Sequence, residues 1–236
     1  MGSQRLILVD GSGYIFRAFY ALPPMSREDG TPVNAVFGFT SMLLKLSEDM
    51  EGENILVVFD AARTTFRNAI YKEYKANRSE PPEELVPQFD LIKKATTAIG
   101  LKSLEVENYE ADDIIATYVK IAKKENIETL VISSDKDLMQ LIQDGVSLYD
   151  PMKNIKIGPE AVLEKFGVSP DKVIDVQALA GDSSDNVPGV PGIGVKTASQ
   201  LINEYGSLEK LLDNASSIKQ EKRRESLINN AELAIV

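Results

Sequence analysis

Nine carboxylates stand where they could do chemistry: Asp10, Asp60, Glu110, Asp112, Asp113, Asp135, Asp137, Asp182 and Asp185. Three fall within four residues of Tyr109-Glu110-Ala111-Asp112-Asp113-Ile114-Ile115-Ala116. Ionised carboxylates this close repel one another unless a cation sits among them. Two-metal phosphoryl chemistry needs such a nest, holding divalent cations about 3.5 to 4 Å apart, one generating the nucleophile and both stabilising charge on the phosphate. The ordinary alternative is a solvated helix start, because acidic residues in a first turn complement the helix dipole. Asp182 and Asp185, in Gly181-Asp182-Ser183-Ser184-Asp185-Asn186, have an equally ordinary alternative in turn composition.

The rest of the inventory narrows the choice. The 236 residues contain no histidine and no cysteine, so the usual general base near neutral pH, the thiolate nucleophile and zinc-thiolate sites are all excluded. Oxygen donors alone suit magnesium or manganese, which need neither nitrogen nor sulfur. Without disulfides, and with no run approaching the roughly 18 apolar residues of a membrane span, the chain reads as a cytoplasmic protein with no membrane partner. Hydrophobic residues make up 43%, enough for a substantial core.

The formal charge of -10 argues at first against a polyanionic partner. Its distribution reverses that inference. Residues 105 to 113 carry five acids and no base, whereas residues 63 to 78 carry Arg63, Arg67, Lys72, Lys75 and Arg78 against Glu73 alone. In that basic stretch the cations can neutralise phosphates, and Tyr71 or Tyr74 can stack on an unpaired base; a solvated helix face with core aromatics is the other reading. Arg17 follows closely on Asp10 and is either a phosphate contact or a surface charge.

The elements that must position these groups follow from apolar runs. Leu6 to Val9 reads as a buried strand ending at Asp10, Ile55 to Phe59 as a second ending at Asp60, Leu101 to Val106 as a third, and Thr129 to Ile132 as a fourth running into Ser133-Ser134-Asp135. Helical spacing covers Asn34 to Met50 and Glu83 to Ile99, and the acidic stretch opens another helix. Strands alternating with helices predict βαβ units and a mostly parallel sheet flanked by helices. All the strand-end aspartates then share the edge where such sheets bind ligands. From about residue 159 the pattern turns helical, with no clear strand after Val146 to Tyr149. The chain thus divides into an α/β core over 1–158 and a helical subdomain over 159–236.

Within the second part, Val187-Pro188-Gly189-Val190-Pro191-Gly192-Ile193-Gly194-Val195-Lys196-Thr197-Ala198 joins two helical segments. Its glycines permit a tight turn with exposed amide N–H groups before a helix N-terminus, an arrangement suited to a phosphodiester backbone and indifferent to base sequence. A glycine-rich connection with no ligand is the alternative.

The succession Leu8-Val9-Asp10-Gly11-Ser12, Val58-Phe59-Asp60-Ala61, Thr65-Phe66-Arg67, Tyr74-Lys75-Ala76-Asn77-Arg78, Tyr109 to Asp113, Ser134-Asp135-Lys136-Asp137-Leu138 and Gly181 to Asn186 leading into Gly189 to Ala198 resembles the 5′-nuclease domain of bacterial DNA polymerase I, within the flap endonuclease superfamily. The resemblance runs from Arg5 to the end of the chain. It implies a PIN-like core including a helical clamp over about 64–90, and a helix-hairpin-helix element over about 176–206, often with a monovalent cation such as K+. It also implies that Asp10, Asp60, Glu110 and Asp112 hold a first Mg2+ or Mn2+, with Asp113 close by, while Asp135, Asp137, Asp182 and Asp185 hold a second. Lys75 and Arg78 match the basic pair at the scissile phosphate, so that Lys75, Arg78, Asp10 and Asp113 form the expected catalytic set. Arg17, Arg67 and Tyr74 match substrate contacts, and Gly189, Gly192, Gly194, Lys196 and Thr197 form the expected duplex grip.

The function this implies is structure-selective hydrolysis of phosphodiesters near 5′ ends, as 5′-3′ exonuclease and flap endonuclease, for primer removal, nick translation and repair. The substrates would be DNA with a 5′ flap, a nick or an RNA-primer end. The protein would act as a monomer in the bacterial cytoplasm at the nucleoid, alone or with polymerase domains. The chain ends at Val236, short of where the family's nuclease domain usually finishes, which leaves open a short natural protein or a piece of a longer polymerase. A metal-dependent phosphatase would share the acidic edge but give the glycine turn no role, and a DNA-junction binding module would need no catalysis.

Overall fold

The computed structural model describes residues 5–50 and 53–235. Two compact units divide the chain: residues 1–65, 79–138 and 144–156 form the sheet unit, and 66–78, 139–143 and 157–236 the helical unit. The basic segment 66–78 therefore groups with the helical part and not with the α/β core in which the sequence reading put the clamp. Its Lys75, Asn77 and Arg78 bond to the loop at 183–185, contacts that sequence proximity does not reveal.

In the sheet unit, β1 (Leu6–Asp10), β2 (Asn54–Val58), β3 (Lys102–Leu104), β4 (Thr129–Ile132), β5 (Val146–Asp150) and β6 (Ile155–Ile157) stand in the order β3-β2-β1-β4-β5-β6. The β1–β2, β2–β3, β1–β4 and β4–β5 pairs are parallel. Strand order runs outward from β1 to β3 and then resumes on β1's other side with β4. That reversal between β1 and β4 is the place where an open sheet offers a crevice at its strand ends. Registers of Asp10 opposite Val58 and Val9 opposite Ile132 set Asp10 beside the starts of the loops carrying Asp60 and Asp135.

Alternation along the strands sorts the core. Ile7, Val9, Val57, Leu130 and Ile132 pack with Tyr14, Ile15 and Ala18 of α1 (Gly11–Ala21), Ala35, Phe39 and Leu43 of α2 (Asn34–Asp49), and Ile92 of α4 (Gln88–Ala98). Each fully buried Val, Leu, Ile or Phe among them contributes about 1.5–3 kcal/mol relative to exposure. The acidic stretch opens α5 (Ala111–Lys124), which lies against β1, β2 and β4. Among the described residues no helix is long and apolar enough to cross a membrane.

Two expectations need correction. The helix expected from Glu83 begins at Gln88, because Pro87 lacks an N–H and disfavours helical geometry at the residue before it; residues 83–87 form turns instead. A sixth strand, Ile155–Ile157, follows the turn at Asn154 (φ 56°). Three residues are too few to display a strand's period, so β6 left no legible pattern.

The helical unit contains the short α3 (Phe66–Ile70), α6 (Pro159–Phe166), α7 (Val173–Ala180), α8 (Val195–Tyr205), α9 (Leu208–Asp213), α10 (Glu221–Asn229) and α11 (Ala231–Ile235). Its core gathers Val162, Val176, Leu179, Ile193, Ile202, Leu211 and Leu227, all buried. The glycine turn connects α7 to α8 as a hairpin between packed helices.

Candidate metal and nucleic-acid sites

Asp10 ends β1 and caps α1, its carboxylate accepting the Gly13 N–H at 3.4 Å. Gly11 is required there because a Cβ would lie 2.5 Å from the Phe59 ring and 2.8 Å from the Val58 carbonyl. The Ser133 hydroxyl, buried at the end of β4, donates to Asp10 Oδ2 at 2.8 Å and accepts the Asp135 N–H at 2.9 Å. Asp135 in turn accepts the Asp137 N–H at 2.8 Å, which starts a 3-10 turn at Asp137.

Asp60, just past β2, accepts the Ser12 hydroxyl and, at 2.7 Å, the Ala111 N–H at the head of α5. One exposed carboxylate thereby ties the starts of two helices together. Glu110 and Asp113 form a capping box on α5, with Asp113 Oδ2 accepting the Glu110 N–H at 3.1 Å. The ordinary reading of the acidic stretch as a helix cap is therefore correct for these two residues, and it leaves Asp112 in the first turn without that role.

Among the described residues no three carboxylates are drawn into a ready-made metal cluster. Asp10 nevertheless has a carboxyl pushed up to about 6, first by burial and then by the charges of Asp60 and Asp135, against the opposing hydrogen bonds from Ser133 and Gly13. A buried carboxylate facing two others is a donor set that a divalent cation would stabilise, and every donor is a hard oxygen. The residues present fit such an ion.

Sequence reasoning overlooked Ser12 and Ser133 as positioning groups. The available signal was a hydroxyl residue within two positions of each strand end. Arg17, read as a candidate phosphate contact, donates from Nη1 to the Pro151 carbonyl at 2.8 Å, which holds the turn after β5.

In the helical unit, Asp185 is surrounded by donors. Arg78 Nη2 approaches Oδ1 to 2.5 Å, while Tyr74 Oη at 3.2 Å and Lys75 Nζ at 3.7 Å approach Oδ2. The Lys75 N–H also donates to the Asp185 carbonyl at 2.9 Å, a contact that holds Lys75 in the left-handed region at φ 55°. Asn77 donates to the Ser183 carbonyl and Asn186 to the Glu73 carbonyl, so two chain segments are stitched from both sides. Lys75 lies over the Tyr74 ring at 5.0 Å and Arg67 over Phe66 at 4.7 Å. Asp182 is buried and pairs through its backbone with Val187 in both directions at 2.8 Å.

The α7–α8 connection is closed by Gly181 and Gly189, at φ 73° and 62°. A Cβ on Gly189 would lie 2.3 Å from the Gly181 nitrogen, so no side chain fits. Gly192 and Gly194 face open space, and Gly194 caps α8 without a side-chain hydrogen bond, with Lys196 and Thr197 in its first turn. This leaves the helix start available to an anion.

Family models describing a 5′-3′ exonuclease N-terminal resolvase-like domain and a 5′-3′ exonuclease C-terminal SAM fold match residues 5–167 and 168–236. DNA polymerase I of Rhizobium leguminosarum is 54% identical over 98% of this chain and 24% of its own length; that of Bacillus caldotenax is 44% identical over 99% and 27%. The chain thus spans about a quarter of the length of the curated relatives it matches. Among solved structures, T5 5′-exonuclease with bound zinc ions superposes with a TM-score of 0.82 at 25% identity, covering 98% of this chain and 87% of that one. The chain belongs to the 5′-3′ exonuclease family.

Proposed function

We propose that this chain is a structure-selective 5′ nuclease that hydrolyses DNA or RNA phosphodiesters near 5′ ends and at flap junctions. The setting of buried Asp10 near Asp60 and Asp135 at the sheet's reversal point carries this reading, because among the described residues no cationic side chain pairs with any of the three, and such a set of hard oxygens suits a divalent ion. Asp10, Asp60, Glu110 and Asp112 would hold one Mg2+ or Mn2+, with Asp113 close by. The assignment of Asp135, Asp137, Asp182 and Asp185 to a second ion rests on the family resemblance. Such ions supply an activated water and offset charge on the phosphate when bound.

The chain's own residues then have separate tasks. Ser133 and Ser12 orient Asp10 and Asp60. Lys75 and Arg78 supply cationic donors for a phosphate's developing charge once they leave Asp185. Gly189, Gly192, Gly194, Lys196 and Thr197 supply a backbone grip on duplex DNA, with K+ as a candidate monovalent partner. We further infer a monomer that works within or beside a polymerase, since its curated relatives are named DNA polymerase I.

A labelled 5′-flap duplex tests the reading directly. Magnesium-dependent incision at the junction is the expected result, leaving a 5′-phosphate on one product. Binding without incision, or hydrolysis of small phosphomonoesters only, would overturn it.

A further inference from the structure

Helix α10 and the residues just before it carry a compact group of cations, and the helix's attachment sets them beside the hairpin. Lys219, Lys222, Arg223 and Arg224 fall within six residues against Glu221 alone, in a chain whose formal charge is -10. Arg224 is used structurally, its Nη1 donating to the Ile218 carbonyl at 3.0 Å. The Ser226 hydroxyl donates to the Pro191 carbonyl at 2.7 Å, fastening α10 to the outer turn of the Gly189–Gly194 hairpin.

Helical geometry fixes which cations flank that contact. Lys222 and Arg223 precede Ser226 by four and three residues and so flank it on the helix; Glu225, three residues after Lys222, neighbours Lys222 but lies away from Arg223. Among the described residues, Lys196, Lys222 and Arg223 take no part in an ion pair. Lys222 is exposed and Arg223 half-buried. The side chains around them on the helix include no aromatic ring for a base to stack on.

We propose that Lys222 and Arg223 form a phosphate-binding extension of the hairpin, gripping the backbone of duplex DNA next to the phosphate held at the start of α8. The contact is electrostatic and indifferent to sequence. It rests on the nuclease reading above, because it takes the same duplex as its ligand.

The test is binding of a fluorescent 5′-flap duplex by the 236-residue chain and by a K222A/R223A variant. Anisotropy is measured with Ca2+ in place of Mg2+ across a KCl series, with single-stranded DNA of equal length in parallel. Roughly tenfold weaker duplex binding near 0.1 M KCl is expected, and a slope of log affinity against log salt shallower by about 1 to 2. An unchanged thermal unfolding midpoint would show that the fold is intact. Equal affinity and slope in the two proteins would overturn the proposal while leaving the nuclease reading in place, as would a loss confined to single strands. No duplex binding by the unsubstituted chain would overturn both.

Discussion

Asp10 and Asp185 are the same residue type in opposite predicaments. Asp10 is buried on the sheet edge, with Asp60 and Asp135 raising its carboxyl further and only two hydrogen bonds opposing them. Asp185, in the helical unit, has Arg78, Lys75 and Tyr74 gathered around it. Among the described residues the first has no cationic side chain as a partner. The second has positive charge supplied by its own chain, and the cations that supply it are those the family resemblance assigns to a phosphate. Acidic sequence clusters that look alike can thus be either a demand for cations or a holding place for them.

The contrast can be broken most severely at Asp10. Asp10→Ala should lower flap cleavage at saturating substrate by at least about a thousandfold, since several kcal/mol of charge stabilisation is lost, with binding retained in a Ca2+ anisotropy assay. Turnover near that of the unsubstituted protein would remove Asp10 from the ion site.

The stability effect at Asp10 has a definite sign. A carboxyl raised from 3.8 to about 6 favours the protonated folded state, so its contribution is complete below about pH 4 and disappears as pH rises through about 6. In metal-free urea unfolding, Asp10→Asn should therefore be more stable than the parent at pH 8 by up to about 3 kcal/mol, and the gap should close toward pH 4. Divalent cations should stabilise the parent and not the variant. A gap that widens on acidification would contradict the desolvated-carboxylate account.

Lys75→Ala probes the other side of the comparison. A fall of about a hundredfold in kcat is expected, typical of losing one electrostatic donor, with a much smaller change in flap affinity. The reverse pattern would place Lys75 in binding alone. Asp185→Asn should have the smallest effect on the fold, about 1 kcal/mol in thermal unfolding, because Arg78 is half exposed and solvent already screens its charge. A loss several times larger would mean that Asp185 organises the helical unit rather than resting in it.

The sheet was legible because short apolar runs alternate with helical spacing, and the runs at Leu6–Val9 and Ile55–Phe59 stop at Asp10 and Asp60, which parallel strands bring to one edge. The helix of the acidic stretch was legible from its amphipathic period. Ser12 and Ser133 were not, because a hydroxyl after a strand is common and only the register between β1 and β4 shows what Ser133 joins. Nor was the capture of Lys75 and Arg78 by a residue more than a hundred positions away, since sequence spacing carries no information about it. Family resemblance supplied residue roles there, while the structure shows those residues otherwise engaged.

Gly181 and Gly189 touch backbone to backbone, and Asp182 and Val187 pair between them. The segment bearing Asp182 and Asp185 is thus a loop whose ends are already joined. Its closure entropy is lost when the chain folds and need not be lost again when an ion arrives. An ion taken there would bind a preformed segment, so its affinity would depend on charge and geometry and not on ordering the chain.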